Sequence, residues 1–141
     1  MIEYLVDRCQ REIDDQAFTH LHNLRSLKGK KTKGKKAARG AIEEFVTGFA
    51  RYLEQHEGNC LLATLALTQP ELLGEAQREK TTMWQATLSA ACQQLGHKPK
   101  AAKRLAQASL ARLYGSLTLA AMGSHISINQ ASKWLKRDLL K

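Results

Sequence analysis

His20 and His22, together with the adjacent Asp14 and Asp15, are residues of the types that do acid–base or metal chemistry. Their spacing argues against both uses. Side chains two apart on a helix point to different sides, so His20 and His22 cannot share a metal as i, i+4 histidines do. Asp14 and Asp15 diverge for the same reason and read as the polar face of a helix rather than as a paired acid and base. Cys9, Cys60 and Cys92 are odd in number, far apart and set in apolar or helical runs, which argues against a disulfide framework and against a CxxC metal site. They read as reduced thiols of a cytoplasmic protein. No glycine-rich phosphate loop, nucleophile elbow, HExxH or Cys/His cluster with ligand spacing occurs. The expectation is no catalytic residue, no metal and no cofactor.

The most conspicuous charge pattern is LKGKKTKGKKAARG, Leu27 to Gly40, with seven basic residues between Lys28 and Arg39 and no acid. The chain carries a formal +9, of which this segment supplies +7, leaving +2 for everything else. By that count the charge belongs to one loop rather than to the protein. The segment mixes point charges with Gly29, Gly34 and Thr32 and holds no aromatic residue, so it can neither bury apolar surface nor fix a docking geometry. It reads as a solvated inter-helix loop at about 27–40. The alternative is a stand-alone helical module that contacts nucleic acid or an acidic partner through this loop, by salt-sensitive attraction to phosphate.

A chain of 141 residues is one domain by size, and such a domain buries about two thirds of its unfolded surface without a covalent or metal staple. No apolar run approaches the ~20 residues of a bilayer span, and no N-terminal stretch has the pattern of a secretory signal. Membrane insertion and secretion are not expected.

The elements that must position any site are helical throughout. Ile2, Leu5, Val6, Cys9 and Ile13 recur at helical spacing, and the same face continues loosely through Phe18 and Leu21 to Leu24. A second helix is predicted from Ala38 to Glu57, with Ile42, Phe45, Val46, Phe49, Tyr52 and Leu53 on one face, stopped by Gly58. CLLATLAL, Cys60 to Leu67, reads as a short buried helix, since Ala and Leu outnumber β-branched residues. Pro70 and Pro99 each open a long helix, closed at Gly96 and Gly123 respectively. The final helix places Ile128, Ala131, Trp134, Leu135 and Leu139 on one face. The prediction is an all-α, six-helix bundle with no strand.

Phe45, Phe49 and Tyr52 on the second helix, Met83, Trp84 and Leu88 on the fourth, and Tyr114 with Leu117 on the fifth are candidates to converge on an apolar cavity with a few polar tips, the composition of a small-molecule pocket. The same residues at helical spacing also describe a solid core, and spacing alone favours the core.

The run FARYLEQHEGNCLLATLALTQPELLGEAQREKTTMWQATLSAACQQLG, followed by AQASLARLYGSLTLAAM, resembles the C-terminal effector-binding and dimerisation domain of TetR-family transcriptional repressors. The shared features are a helix end with Gly, Cys, Leu and Leu, a Pro-led helix containing Trp, and a Leu-rich helix with a small-residue step. The three-helix DNA-binding head that precedes this domain in such repressors has no counterpart here, and MIEYLVDRCQREID resembles the helix that follows the head. The resemblance implies a small, largely apolar effector held between the first, second and fourth helices, with Phe45, Phe49, Tyr52, Met83, Trp84, Leu88, Tyr114 and Leu117 around it. It further implies a homodimer through the last two long helices, roughly 100–123 and 127–140. Leu110, Leu113, Ser116, Ala120, Trp134, Leu135 and Leu139 are the expected interface positions, the final helix ending where a monomer would have little left to cover it. Specific DNA binding by this chain alone is not expected.

Overall fold

A computed structural model describes residues 2–26, 34–56, 65, 68–121 and 128–140. Every regular element among them is helical: α1 (Ile2–Ile13), a π-helical turn (Asp14–Phe18), α2 (Thr19–Ser26), α3 (Lys35–Gln55), a 3-10 turn (Pro70–Leu72), α4 (Glu75–Leu95), α5 (Pro99–Ala121) and α6 (Ile128–Leu139). The all-α expectation holds. The expected helix at Cys60–Leu67 falls outside the described residues except for Leu65, which is helical and buried.

α1, the π turn and α2 follow one another without a break, so the first predicted helix is present with a change of winding inside it. The apolar spacing carries the cause. Val6, Cys9 and Ile13 keep the three- and four-residue steps of an α-helix, but the next large apolar side chain, Phe18, comes five residues after Ile13. An i to i+5 turn spans that step, and Val6, Ile13, Phe18 and Leu21 are all inaccessible to solvent. Leu5, expected on the same face, is instead 43% exposed.

α3 is the axis of the bundle, packing against the π turn, α2, α4 and α6, while α4 pairs along its length with α5. Its buried face, Ala38, Ala41, Ile42, Phe45, Val46, Gly48, Phe49, Tyr52 and Leu53, is the predicted one. Gly48 marks the closest approach, since a Cβ there would fall 1.8 Å from the carbonyl oxygen of Gln16 in the π turn.

Two boundaries differ from expectation. α3 begins at Lys35, so Lys35, Lys36 and Arg39 are helical and the basic loop read at 27–40 is shorter than its charge pattern suggested. Ala38 explains the difference, because it is fully buried and holds that turn against the core. The fourth predicted helix does not start at Pro70. Pro70 opens only the 3-10 turn, and α4 starts after Gly74, whose N–H is taken by Gln77 Oε1 at 2.7 Å. Gly96 does close α4, at φ +123°, with its own N–H on Gln93 O at 3.0 Å and the His97 N–H on Cys92 O at 3.1 Å. That left-handed cap with paired backbone bonds is the ending glycine makes cheap.

Candidate functional site

A row of aromatic rings runs through the space between α3, α4 and the first rod, the unbroken run of α1, the π turn and α2. Trp84 of α4 stacks on Phe18 of the π turn, centroids 4.9 Å apart and planes 8° from parallel. Phe18 meets Phe45 at 5.1 Å, Phe45 meets Phe49 at 6.3 Å, and Phe49 meets Tyr52 at 6.3 Å. Tyr114 of α5 stands edge-on to Phe49 at 6.1 Å and 89°. The α3 rings fall on one face because they are separated by four and three residues. Trp84, Phe18, Phe45 and Phe49 are fully buried, and Tyr52 is 1% exposed.

The row has a polar handle at each end. At one end the indole N–H of Trp84 donates to Asp14 Oδ1 at 2.8 Å, His22 Nε2 lies 2.9 Å from the same oxygen, and Lys80 Nζ is 3.6 Å from Oδ2. Burial alone would raise the Asp14 pKa, but the hydrogen bonds from His22 and Trp84 and the charges of His22 and Lys80 outweigh it and hold the carboxyl below its ordinary value. At the other end Tyr52 Oη and Cys9 Sγ share a hydrogen bond at 2.8 Å, and the ring of His56, itself 2.7 Å from Glu12 Oε2, packs on Tyr52 with centroids 4.5 Å apart. The row is a packed stretch of the core with a hydrogen-bonding group at either end.

Of the eight expected pocket residues, Phe45, Phe49, Tyr52, Trp84 and Leu88 are brought together in the core and Tyr114 packs at its margin. Met83 is corrected: it is 44% exposed, because it precedes Trp84 by one residue and so stands about a quarter-turn round α4. Leu117 lies outside the described side chains. Sequence reasoning missed Phe18, Asp14 and His22. The five-residue step from Ile13 to Phe18 was the available signal for the ring. Nothing local marked Asp14, which reads as helix polar face until Trp84, 70 residues away, reaches it. His20, by contrast, is exposed.

The argument for the dimer positions also changes. Leu110, Leu113, Leu135 and Leu139 are buried within the single chain, at 4, 6, 1 and 0% exposure, and α6 packs on α3. The chain does cover its last helix, contrary to expectation. Trp134 and Ser116 remain partly exposed, and Ala120 lies outside the described side chains. Between α5 and α6 opens a cleft of about 190 Å³ lined by Leu105, Ala108, Ser109, Arg112, Leu135 and Asp138, its rim crossed by the Arg112–Asp138 ion pair.

Among the described residues no group of three or more His, Cys, Asp or Glu is placed to hold a metal ion, and no helix is long and apolar enough to cross a membrane. Compared with protein-family models, with curated proteins and with solved structures, the chain matches none.

Proposed function

We propose that the chain is a ligand-sensing and dimerisation domain of the TetR-like kind, without catalytic activity, which admits a small, largely apolar aromatic effector between the first rod, α3 and α4. The observation that carries this reading is the aromatic row itself. It is built from the same three elements between which the sequence resemblance puts an effector, and it ends in the Asp14 carboxylate at one side and the Tyr52 hydroxyl at the other. An effector would displace ring contacts with ring contacts, so little apolar packing is lost on opening. Its polar group would take over hydrogen bonds that Asp14 and Tyr52 now make within the chain. A charged effector with no counterpart there would be costly to bury.

The experiment uses the two tryptophans. A Trp134→Phe variant leaves Trp84 as the only indole, and it is titrated with a panel of neutral bicyclic aromatics while emission and thermal midpoint are followed. Saturable change in Trp84 emission with a raised midpoint supports the reading. Constant emission and midpoint across the panel overturn it.

A further inference from the structure

The chain is not uniformly weakly basic outside its lysine-rich loop. Its helices run alternately up and down, and that topology sorts the charges. Gln94 Nε2 donates to Gly34 O at 3.1 Å, joining the end of α4 to the start of α3. Arg39 Nη2 donates to Leu140 O at 3.1 Å, joining α3 to the end of α6. The turn at Gly96, from which α5 departs, lies against Lys35, whose Cε is 3.4 Å from where a Cβ on Gly96 would stand. The stretches 34–40, 94–104 and 132–140 therefore meet at one end of the bundle, and they hold ten Lys and Arg against one acid, Asp138. All ten are exposed.

The opposite end has the other sign. It is assembled by His56 on Glu12 and by Gln10 Nε2 on Gln77 O at 3.1 Å, and its stretches 3–12, 51–56 and 71–79 hold seven acids and four arginines.

Stability does not account for the basic end. Helix N-termini favour acids, yet the first turns of α3 and α5 contain none and carry Lys35 and Lys36 in one and Lys100 in the other. Lys100, Lys103 and Arg104 on α5, and Lys133, Lys136 and Arg137 on α6, repeat one i, i+3, i+4 spacing. Each trio therefore shares a helix face, where like charges cost a few tenths of a kcal/mol per pair, about 0.2–0.5. Among the described residues the only ion pair any of the ten makes is Arg137 with Asp138, which Arg112 already engages. Positive charges from three elements, exposed and kept clear of carboxylates, form a surface complementary to a polyanion.

We infer that this end of the bundle binds the phosphate backbone of double-stranded nucleic acid, without sequence preference. Duplex is favoured over an anionic membrane because the exposed large apolar side chains among the described residues, Tyr4, Leu5 and Met83, all lie outside these stretches, where Trp134 is only partly exposed and there is no apolar face to enter a bilayer. It is favoured over single strands because 34–40 and 94–104 hold no Phe, Tyr or Trp on which bases would stack, and Trp134, the one such ring in 132–140, is only partly exposed. Lysines outnumber arginines seven to three, which suits point contacts to phosphate rather than bidentate reading of bases.

The test is fluorescence anisotropy of a labelled random-sequence duplex of about 25 base pairs, titrated with the full chain from ~50 to ~200 mM salt. Two variants are compared with the parent, each checked by circular dichroism for an unchanged fold. One reverses the α5 face (Lys100→Glu, Lys103→Glu, Arg104→Glu). The other removes the loop charges outside the described residues (Lys28→Gln, Lys30→Gln, Lys31→Gln, Lys33→Gln). If the basic end is the surface, the α5 variant loses at least about tenfold in affinity and its log–log salt slope falls by about 2.7, three phosphate contacts' worth. Parental affinity in the α5 variant, with binding lost only in the loop variant, overturns the inference in favour of the loop. So does binding to phosphatidylserine vesicles in the absence of duplex binding, and so does the absence of duplex binding at the lowest salt.

Discussion

Trp84 lies flat on Phe18 while its indole N–H is held at 2.8 Å by Asp14, four residues earlier in the same π turn. The carboxylate thus fixes the orientation of the largest buried side chain. Replacing it by alanine removes the acceptor from a buried donor, and Asp14→Ala should lose about 1–3 kcal/mol in urea unfolding followed by tryptophan emission. Asp14→Asn keeps an oxygen toward the indole and should lose less.

The same carboxylate makes stability depend on acid. Its folded-state pKa lies below the unfolded one, so its contribution is complete above the ordinary carboxylate value and disappears as pH falls through the lower, folded one. The stability gap between the parent and Asp14→Asn should therefore be widest near about pH 7 and shrink below about pH 4. Urea midpoints measured across that range check the direction; a gap that widens in acid contradicts it.

Gly48 and Gly40 are both helical glycines of α3 with opposite expectations. A Cβ at Gly48 overlaps the backbone of Gln16, whereas a Cβ at Gly40 meets nothing within 4 Å. Gly48→Ala must push the π turn off α3 and should cost about 3 kcal/mol or more. Gly40→Ala should gain about 0.5–1 kcal/mol from reduced freedom of the unfolded chain. Thermal midpoints that move together in the two variants would refute the close approach.

Dimerisation, a part of the proposed function, is testable at Trp134. Leu135 is core, so Leu135→Glu should unfold the chain and says nothing about association. Trp134 is partly exposed on the same helix, and Trp134→Glu should stay folded while shifting sedimentation toward the monomer. Unchanged sedimentation between parent and Trp134→Glu removes α6 from any interface.

Burial pushes the Cys92 thiol up to about 11, so almost no thiolate is present near neutrality. Iodoacetamide at about pH 8 should leave Cys92 unlabelled in the native chain and label it once urea unfolds the protein, as read by peptide mass mapping.

That every described element is helical, which face of α3 is buried and where α4 closes were all legible in advance, because apolar spacing and the left-handed cap at Gly96 act within a few residues. Even the π turn was legible in retrospect, in the five-residue step from Ile13 to Phe18. The start of α4 was misjudged at Pro70, since a proline at a first turn is equally at home in a 3-10 turn, and only the Gly74–Gln77 cap separates the two. Which neighbours each residue has depends on contacts between elements far apart in the chain. Tertiary structure turned Asp14 from helix polar face into the partner of Trp84, put Met83 outside the aromatic row, covered Leu135 and Leu139 within the chain, and drew lysines from three parts of the sequence to one end. A linear charge count cannot contain that last result, because alternating helix directions bring together residues some hundred positions apart, as Arg39 and Leu140 are.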